Sequence, residues 1–539
     1  MNLAPLLVLL IASAMAVPAF ANPLGATVVN GSATISQSGN VLTVTNSNGA
    51  IINWNKFSIA AGETTHFSQP SASSSVLNRV MNDPTVIYGT LSSNGHVWLV
   101  NPSGIMIGPG GRIDTAGFVA STLHVRDEDF VAGRSLFVDG GSAGPVINQG
   151  EIRTPDGGSV YLVGANVTNE GVITTPQGEA ILAAGATVSL SDTATPGVRV
   201  DITGSEGTST NLGLITAEAG SIGMAGVIVR NSGLLKASSV TATGGRIFLK
   251  SSQDTYVDGF IVATGALGGN VEILGNHVAV TDNASIDTSG ANGGGQILVG
   301  GSSQGMNPAI QNAGITYFGP DASLKADATT TGNGGRVVVW ANDSTRVFGT
   351  ITAKGGTTSG NGGYVETSST RSLDVSGLRV DTSTFDGTAG MWRLDPSNIY
   401  VTGVNVTEPT GNLMVVAGGN LNISDGTVIT DGAGNITIGG RNITVAGSSI
   451  GGSLSLARGS LAVATETRKL LQKTAGAISL RGAASVQPVA PTPIAATATA
   501  PAPLRASTPT ARQVNTGGLV DGAVTVRLSL VDASPISLR

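Results

Sequence analysis

Val97-Trp98-Leu99-Val100-Asn101-Pro102-Ser103-Gly104-Ile105-Met106-Ile107 is the stretch that decides the fold of this 539-residue chain. Two runs of apolar, β-forming residues flank a short polar break, Asn-Pro-Ser-Gly. Proline presets φ for a turn, and glycine takes the positive φ that would strain a residue carrying a Cβ. The local reading is strand, turn, strand, closing either a hairpin or one rung of a solenoid.

The same grammar extends along the chain. Glycine contributes 77 of 539 residues, whereas charged residues are 12% and aromatics 4%. No Gly-X-Y period is present, so collagen is excluded, and the glycines instead punctuate short Val/Ile/Leu/Thr runs as turns punctuate strands. Asn148-Gln149-Gly150-Glu151-Ile152 recurs as Asn169-Glu170-Gly171-Val172-Ile173 and again as Asn231-Ser232-Gly233-Leu234-Leu235. Gly158-Ser159-Val160 and Gly178-Glu179-Ala180 stand at nearly the same interval. A period near 20 without a Leu-x-x-Leu-x-Leu frame points to an all-β, right-handed parallel β-helix. One rung cannot bury its apolar face alone, but stacked rungs bury it against one another and pair every backbone group. Asparagine and threonine at repeated turn positions are expected to stack as hydrogen-bonded ladders. If about 430 residues form rungs of about 20, roughly 20 rungs at ~4.8 Å give a monomeric rod of roughly 100 Å.

The chain has no cysteine, which excludes disulfides, thiolate metal sites and a cysteine nucleophile. A net charge of −6 offers no basic surface, so nucleic acid is not an expected partner. Residues 1–21 read as a secretory signal: Leu6 to Val17 is apolar, and Ala19-Phe20-Ala21 presents an A-x-A site that places cleavage between Ala21 and Asn22. Met1 to Pro5 carries no Lys or Arg, so the usual positive start is missing. The apolar stretch is too short for a membrane anchor.

Trp54, Phe57 and Phe67 are candidates for core or cap packing. Residues 465–474, TETRKLLQKT, form the best helix candidate. Residues 485–515 are rich in Pro, Ala and Thr with little to bury, and read as a disordered linker. Residues 517–539 hold a single strand-like alternation.

Candidate chemistry is sparse. His66, His96, His124 and His277 lie far apart and in no metal-ligand frame, so turn or core roles are expected and no metal or cofactor is assigned. Asp127-Glu128-Asp129 is the densest acidic run, and a solvated loop is favoured over a calcium site. Asp258, Asp282, Asp287, Asp321 and Asp327 are available singly, in turn contexts that favour aspartate for geometry. A polysaccharide lyase or hydrolase would need a convergent pair of carboxylates, so the expectation is that the protein is not an enzyme.

The neighbourhood of the opening stretch adds more. LNRVMNDPTVIYGTLSSNGHVWLV (77–100), GPGGRIDTAGFVASTLHV (108–125) and the segment 50–80 resemble the amino-terminal secretion domain of the filamentous haemagglutinin family, exoproteins exported by two-partner secretion. The glycine-bounded modules 268–301 and 332–369, and Gly390-Met391-Trp392-Arg393-Leu394-Asp395-Pro396-Ser397-Asn398-Ile399, resemble repeats of the same family. The resemblance implies a secretion (haemagglutination activity) domain over 22–270, β-helical repeats over 271–455 and a low-complexity, largely disordered tail over 456–539. It also implies that Asn101, Pro102, Ser103, Gly104 and Ile105 form the export motif, although the family has asparagine where this chain has Ser103. The implied partner is an outer-membrane transporter that captures an exposed strand by β-augmentation. The implied product is a secreted or surface-retained adhesin that meets a host protein or glycan. Relatives in that family also include haemolysins and haem-acquisition proteins.

Overall fold

The computed structural model describes residues 22–141, 143–192 and 198–394, followed by the backbone of short strands between residues 398 and 528. The signal segment with Ala21, the helix candidate 465–474 and most of 485–515 lie outside the described residues. In the last region strands are described at Ala475–Ser479, Val486–Val489 and Val524–Leu528.

The chain winds as a parallel β-helix with three faces. One rung shows the plan: Glu151–Arg153 lies on the first face, Ser159–Gly164 on the second and Asn166–Asn169 on the third. Each strand pairs in parallel with its counterparts one rung before and after. On the first face, thirteen strands from Val41–Asn46 to Arg379–Asp381 stack in one ladder. Twelve steps of ~4.8 Å make this part about 58 Å long.

That is shorter than a 20-residue period predicts, because the rungs are unequal. Leu214 to Leu234 is a rung of 20 residues, but Thr350 to Arg379 is one of 29. Three rungs also carry long excursions, over 122–144, 185–207 and 300–314, all between the second and third faces. The ladder itself runs unbroken through residue 270.

The core follows from strict alternation on the first face. Ile113, Ile152, Ile173, Ile215, Leu235, Ile261, Ile286, Leu324 and Ile351 occupy one inward column and are fully buried. Each such side chain contributes roughly 1.5–3 kcal/mol by leaving water. The second face breaks the alternation. Val97 and Leu99 point into the main core, whereas Trp98 and Val100 belong to a separate outer cluster. Strands buried on both sides read as continuous apolar runs, and that explains the Val-Trp-Leu-Val sequence.

What covers the outer side is built from two of the excursions. Ser135–Val138, Thr187–Asp192 and Val198–Thr203 form a small antiparallel sheet outside the helix. Beneath it Phe130 and Phe137 pack on Trp98, with ring centroids 5.3 and 5.7 Å away. The Asp127-Glu128-Asp129 run is not a solvated loop. It opens a one-turn helix, Asp127–Val131, in which Asp129 is buried against Arg134 at 2.7 Å and Asp127 pairs with Arg79 at 2.5 Å. The acidic residues therefore fasten the excursion and bury Phe130.

At the amino-terminal end, Thr27–Asn30 and Ala33–Ser38 pair antiparallel with Ala50–Trp54 and Val41–Asn46, closing the first rungs. Trp54, Phe57 and Phe67 are buried in the adjacent core, as expected, with the Trp54 indole N–H donating to Asn78 Oδ1 at 2.9 Å.

Two corners explain the glycine content. Gly158, Gly178, Gly220, Gly245, Gly269, Gly295, Gly335, Gly363 and Gly390 form a column between the first and second faces. A Cβ on Gly295 would stand 2.1 Å from the Gly269 carbonyl oxygen, and the other steps are equally tight. Between the third and first faces runs the column Gly150, Gly171, Gly213, Gly233 and Gly259. An asparagine ladder stands beside it. Asn148 donates to Asn169 at 2.7 Å, Asn169 to Asn211 at 2.8 Å and Asn211 to Asn231 at 2.8 Å. All four are fully buried, and the chain of amides satisfies groups that would otherwise be costly to desolvate.

Candidate functional site

The Asn101–Ile105 segment is a rung corner and not a hairpin. Thr90–Val100 ends on the second face, and Ile105–Ile107 starts the third, pairing in parallel with Thr85–Ile87 and Pro145–Asn148. The Gly104 N–H closes the turn on the Asn101 carbonyl at 3.1 Å, and Gly104 has the positive φ, +121°, that the sequence requires.

Asn101 is fully buried and joins three consecutive rungs. Its amide nitrogen Nδ2 donates to the Asp83 carbonyl at 3.0 Å and to Thr85 Oγ1 at 2.9 Å, both on the preceding corner. Its Oδ1 accepts the Ser103 N–H at 3.0 Å, and its backbone N–H donates to the Ser121 carbonyl at 2.9 Å on the following rung. Pro102 is half-buried, with its carbonyl accepting the Gly144 N–H at 2.7 Å, and Ile105 sits in the main core. Ser103 alone is exposed, and its hydroxyl donates to the Asn82 carbonyl at 2.7 Å. The corner presents one serine and a half-covered proline to solvent over a fully stitched interior. Sequence reasoning missed the partner corner, Asn82-Asp83-Pro84, although an Asn-Asp-Pro turn signal stood in the quoted segment.

Asn22, on the far side of the expected cleavage point, is 2% exposed and is held by Asn40 and Thr65. Ala21 lies outside the described residues.

The TPS secretion domain model matches residues 19–272. The crystal structure of the HMW1 secretion domain from Haemophilus influenzae superimposes with a TM-score of 0.63 at 33% identity, covering 69% of this chain and 100% of that one. The chain belongs to the two-partner-secretion exoproteins.

Exoproteins of this class are secreted across the outer membrane with a cognate transporter. Two curated relatives, both heme/hemopexin-binding proteins of Haemophilus influenzae, match the present exoprotein at 31% identity over 169 residues and 38% over 74 residues. Those segments are 26% and 14% of this chain but only 19% and 8% of the relatives.

Elsewhere the exoprotein's titratable groups serve the ladder. His66 Nδ1 meets Ser92 Oγ at 2.9 Å and His277 Nδ1 meets Asp254 Oδ1 at 2.9 Å. His96 is half-buried, and burial holds its pKa below the usual histidine value. Among the described residues no three metal-binding side chains converge, and no helix is long and apolar enough to cross a membrane. Of the aspartates named above, Asp327 gathers partners that the sequence did not reveal. Burial pushes its pKa up, while the Lys354 N–H at 2.7 Å and the Thr352 hydroxyl at 2.9 Å occupy its two oxygens. Lys354 in turn pairs with Asp381 at 3.1 Å. Burial opposes the lysine's charge, but the Asp381 contact and both carboxylates outweigh it and raise its pKa. With both oxygens of Asp327 engaged, the trio acts as a staple between neighbouring corners.

Proposed function

We propose that this exoprotein leaves the cell through a dedicated outer-membrane transporter and works outside it as an adhesin, either released or retained at the surface. The observation that supports this most is the continuity of the ladder. A secretion domain passes without a break into further rungs whose outer faces repeat at one strand spacing, a platform suited to extended ligands. The Asn101–Ile105 corner is proposed as the export motif, with Ser103 and Pro102 as its solvent-facing part. Catalysis is not part of the proposal, because the aspartates that come together are consumed by the ladder's own hydrogen bonds.

Co-expression with the cognate transporter tests the first half. Asn101→Ala and Gly104→Ala should reduce the protein recovered from culture supernatant, and export equal to wild type in both would remove the corner from the export step. Attachment of the exported chain to host cells tests the second half, and no attachment above an unrelated exported protein would refute adhesion. The names of the two curated relatives favour a second reading, haem utilisation. It predicts that deleting the gene impairs growth on haemopexin-bound haem, with attachment unchanged.

A further inference from the structure

Along the first face the residues before and after each inward Ile or Leu point outward. On four consecutive rungs the leading outward residue is apolar: Val172, Leu214, Leu234 and Phe260. None of the four is buried, and Phe260 is 51% exposed. The same column carries Arg112 and Glu151 on the two rungs before them, and Ser285 and Ser323 on the two after. The trailing outward column is charged at both ends of this stretch. Asp114 and Arg153 stand at one end and Asp287 and Lys325 at the other, with Thr174, Thr216, Lys236 and Val262 between. The signs therefore run minus, plus at each end. Seen from the opposite end of the rod, each reads plus, minus.

That order makes the face complementary to an inverted copy of itself. A second chain, turned end over end about an axis along the strands midway between Leu214 and Leu234, sets Asp114 opposite Lys325 and Arg153 opposite Asp287. In the leading column Leu214 faces Leu234, Val172 faces Phe260, and Arg112 faces Ser323 with the exposed Asp321 close by. The two-fold repeats every contact. Eight apolar side chains then meet between ion pairs at both ends, and no two like charges stand directly opposite. A copy pointing the same way would set Leu214 against Thr216 and Leu234 against Lys236, so the antiparallel pair is the one that joins the apolar side chains. The charges remain open to these partners. Lys325, beside Asp287 in the ladder, forms no ion pair among the described residues, and neither does Lys236. Asp287 accepts the Ser289 N–H on Oδ1 at 2.8 Å. Arg153 meets Glu151 on its own strand, and Arg112 lies 3.6 Å from Asp114 and 4.0 Å from Glu151. Both arginines are exposed, and a guanidinium has donors for a second carboxylate. Lys236, facing Thr216, gains no acid and extends its ammonium to the rim.

We infer that two copies of this chain pair antiparallel through the first face, centred on Leu214 and Leu234. At ~4.8 Å per step the paired stretch is about 34 Å long. With a face roughly 15 Å wide, the pair buries about 1,000 Å² in total, the low end for a specific interface, and micromolar association fits that size. The two amino-terminal ends then point in opposite directions, and the second and third faces of both copies stay outward. The inference does not depend on the adhesin reading. It makes the single rod expected from the sequence one half of a two-fold assembly.

The test measures the mass of the full exported chain by sedimentation equilibrium over a range of concentrations. Wild type should shift from one chain to two as concentration rises. Leu234→Glu changes an outward side chain, so thermal unfolding should stay at the wild-type temperature while the dimer dissociation constant rises about a hundredfold. Asp114→Lys and Lys325→Asp should each weaken pairing roughly tenfold, because each sets like charges opposite one another at two places. The double variant restores opposite charges and should return to within about threefold of wild type. Rescue of this kind is specific to the antiparallel register, since in a parallel pair Asp114 would face Arg112 and Lys325 would face Ser323. The mass of one chain at every concentration, wild-type pairing in Leu234→Glu, or no rescue by the double variant overturns the inference.

Discussion

Asn101→Ala separates the structural role of the proposed export corner from any recognition role. The substitution deletes two donated hydrogen bonds, to the Asp83 carbonyl and Thr85 Oγ1, and one accepted from the Ser103 N–H. Each buried bond is worth about 1 kcal/mol net, and stranding a buried partner adds to that. Thr85 is fully buried, whereas Ser103 can turn to water. The expected cost is therefore about 2–4 kcal/mol, concentrated at this corner. Ser103→Ala removes one exposed bond and should cost about 0.5 kcal/mol. Ser103→Asn installs the family's residue at an exposed position and should be neutral. Native-state hydrogen exchange, read on peptides spanning 82–107, reports local opening. At tenfold per 1.4 kcal/mol, Asn101→Ala should accelerate exchange roughly 30- to 1,000-fold, against about twofold for Ser103→Ala. Exchange in Asn101→Ala within threefold of wild type would refute the assignment of Asn101 as the stitch between rungs.

Two further outcomes follow from the packing. Gly295→Ala places a Cβ 2.1 Å from the Gly269 carbonyl, a backbone atom that cannot rotate aside, and should cost ~3 kcal/mol or more in chemical unfolding. Gly377→Ala, with open space but φ +75°, should cost only about 1–2 kcal/mol; equal effects would show that crowding is not what selects the column. Burial lowers the folded-state pKa of His96, so the folded chain favours its neutral form. That contribution is complete above pH 6.5 and is lost as pH falls from 6.5 through the lower folded value. Wild type should thus lose more stability between pH 7.5 and 5 than His96→Gln, and parallel pH profiles would count against a buried neutral histidine.

The rung plan was legible because alternation and glycine punctuation are local. The asparagine ladder was three-quarters legible: Asn148, Asn169 and Asn231 stood out, but Asn211 did not. The excursion over 185–207 pushes Asn211 out of the 20-residue beat, 42 positions after Asn169. The outer sheet was invisible for a related reason. Its first two strands, Ser135–Val138 and Thr187–Asp192, are separated by two full crossings of the helix, and no periodicity links them. Its trace in sequence was the absence of alternation in Val97–Val100 and again in Ala180–Ala184. At the Asn101–Ile105 corner, turn chemistry announced the bend and the positive φ of Gly104. It could not announce that Asn101 reaches back to Thr85, because that contact depends on rung length.

The three corners differ in how freely they can be rewritten. Third-to-first corners are short and fixed by packed glycines, whereas first-to-second corners run from four residues over 175–178 to eleven over 353–363 while keeping a second glycine column. Second-to-third corners range from the single residue Ala165 through the pair Gly275-Asn276 to the 23-residue excursion over 122–144 without disturbing the strands that follow. Loop-closure entropy grows only slowly with length, so this corner is a port in each turn through which evolution can graft the longest new segments. The same port is available to an engineer: an epitope spliced between Gly275 and Asn276 would be displayed beside His277 at no cost to the register below it.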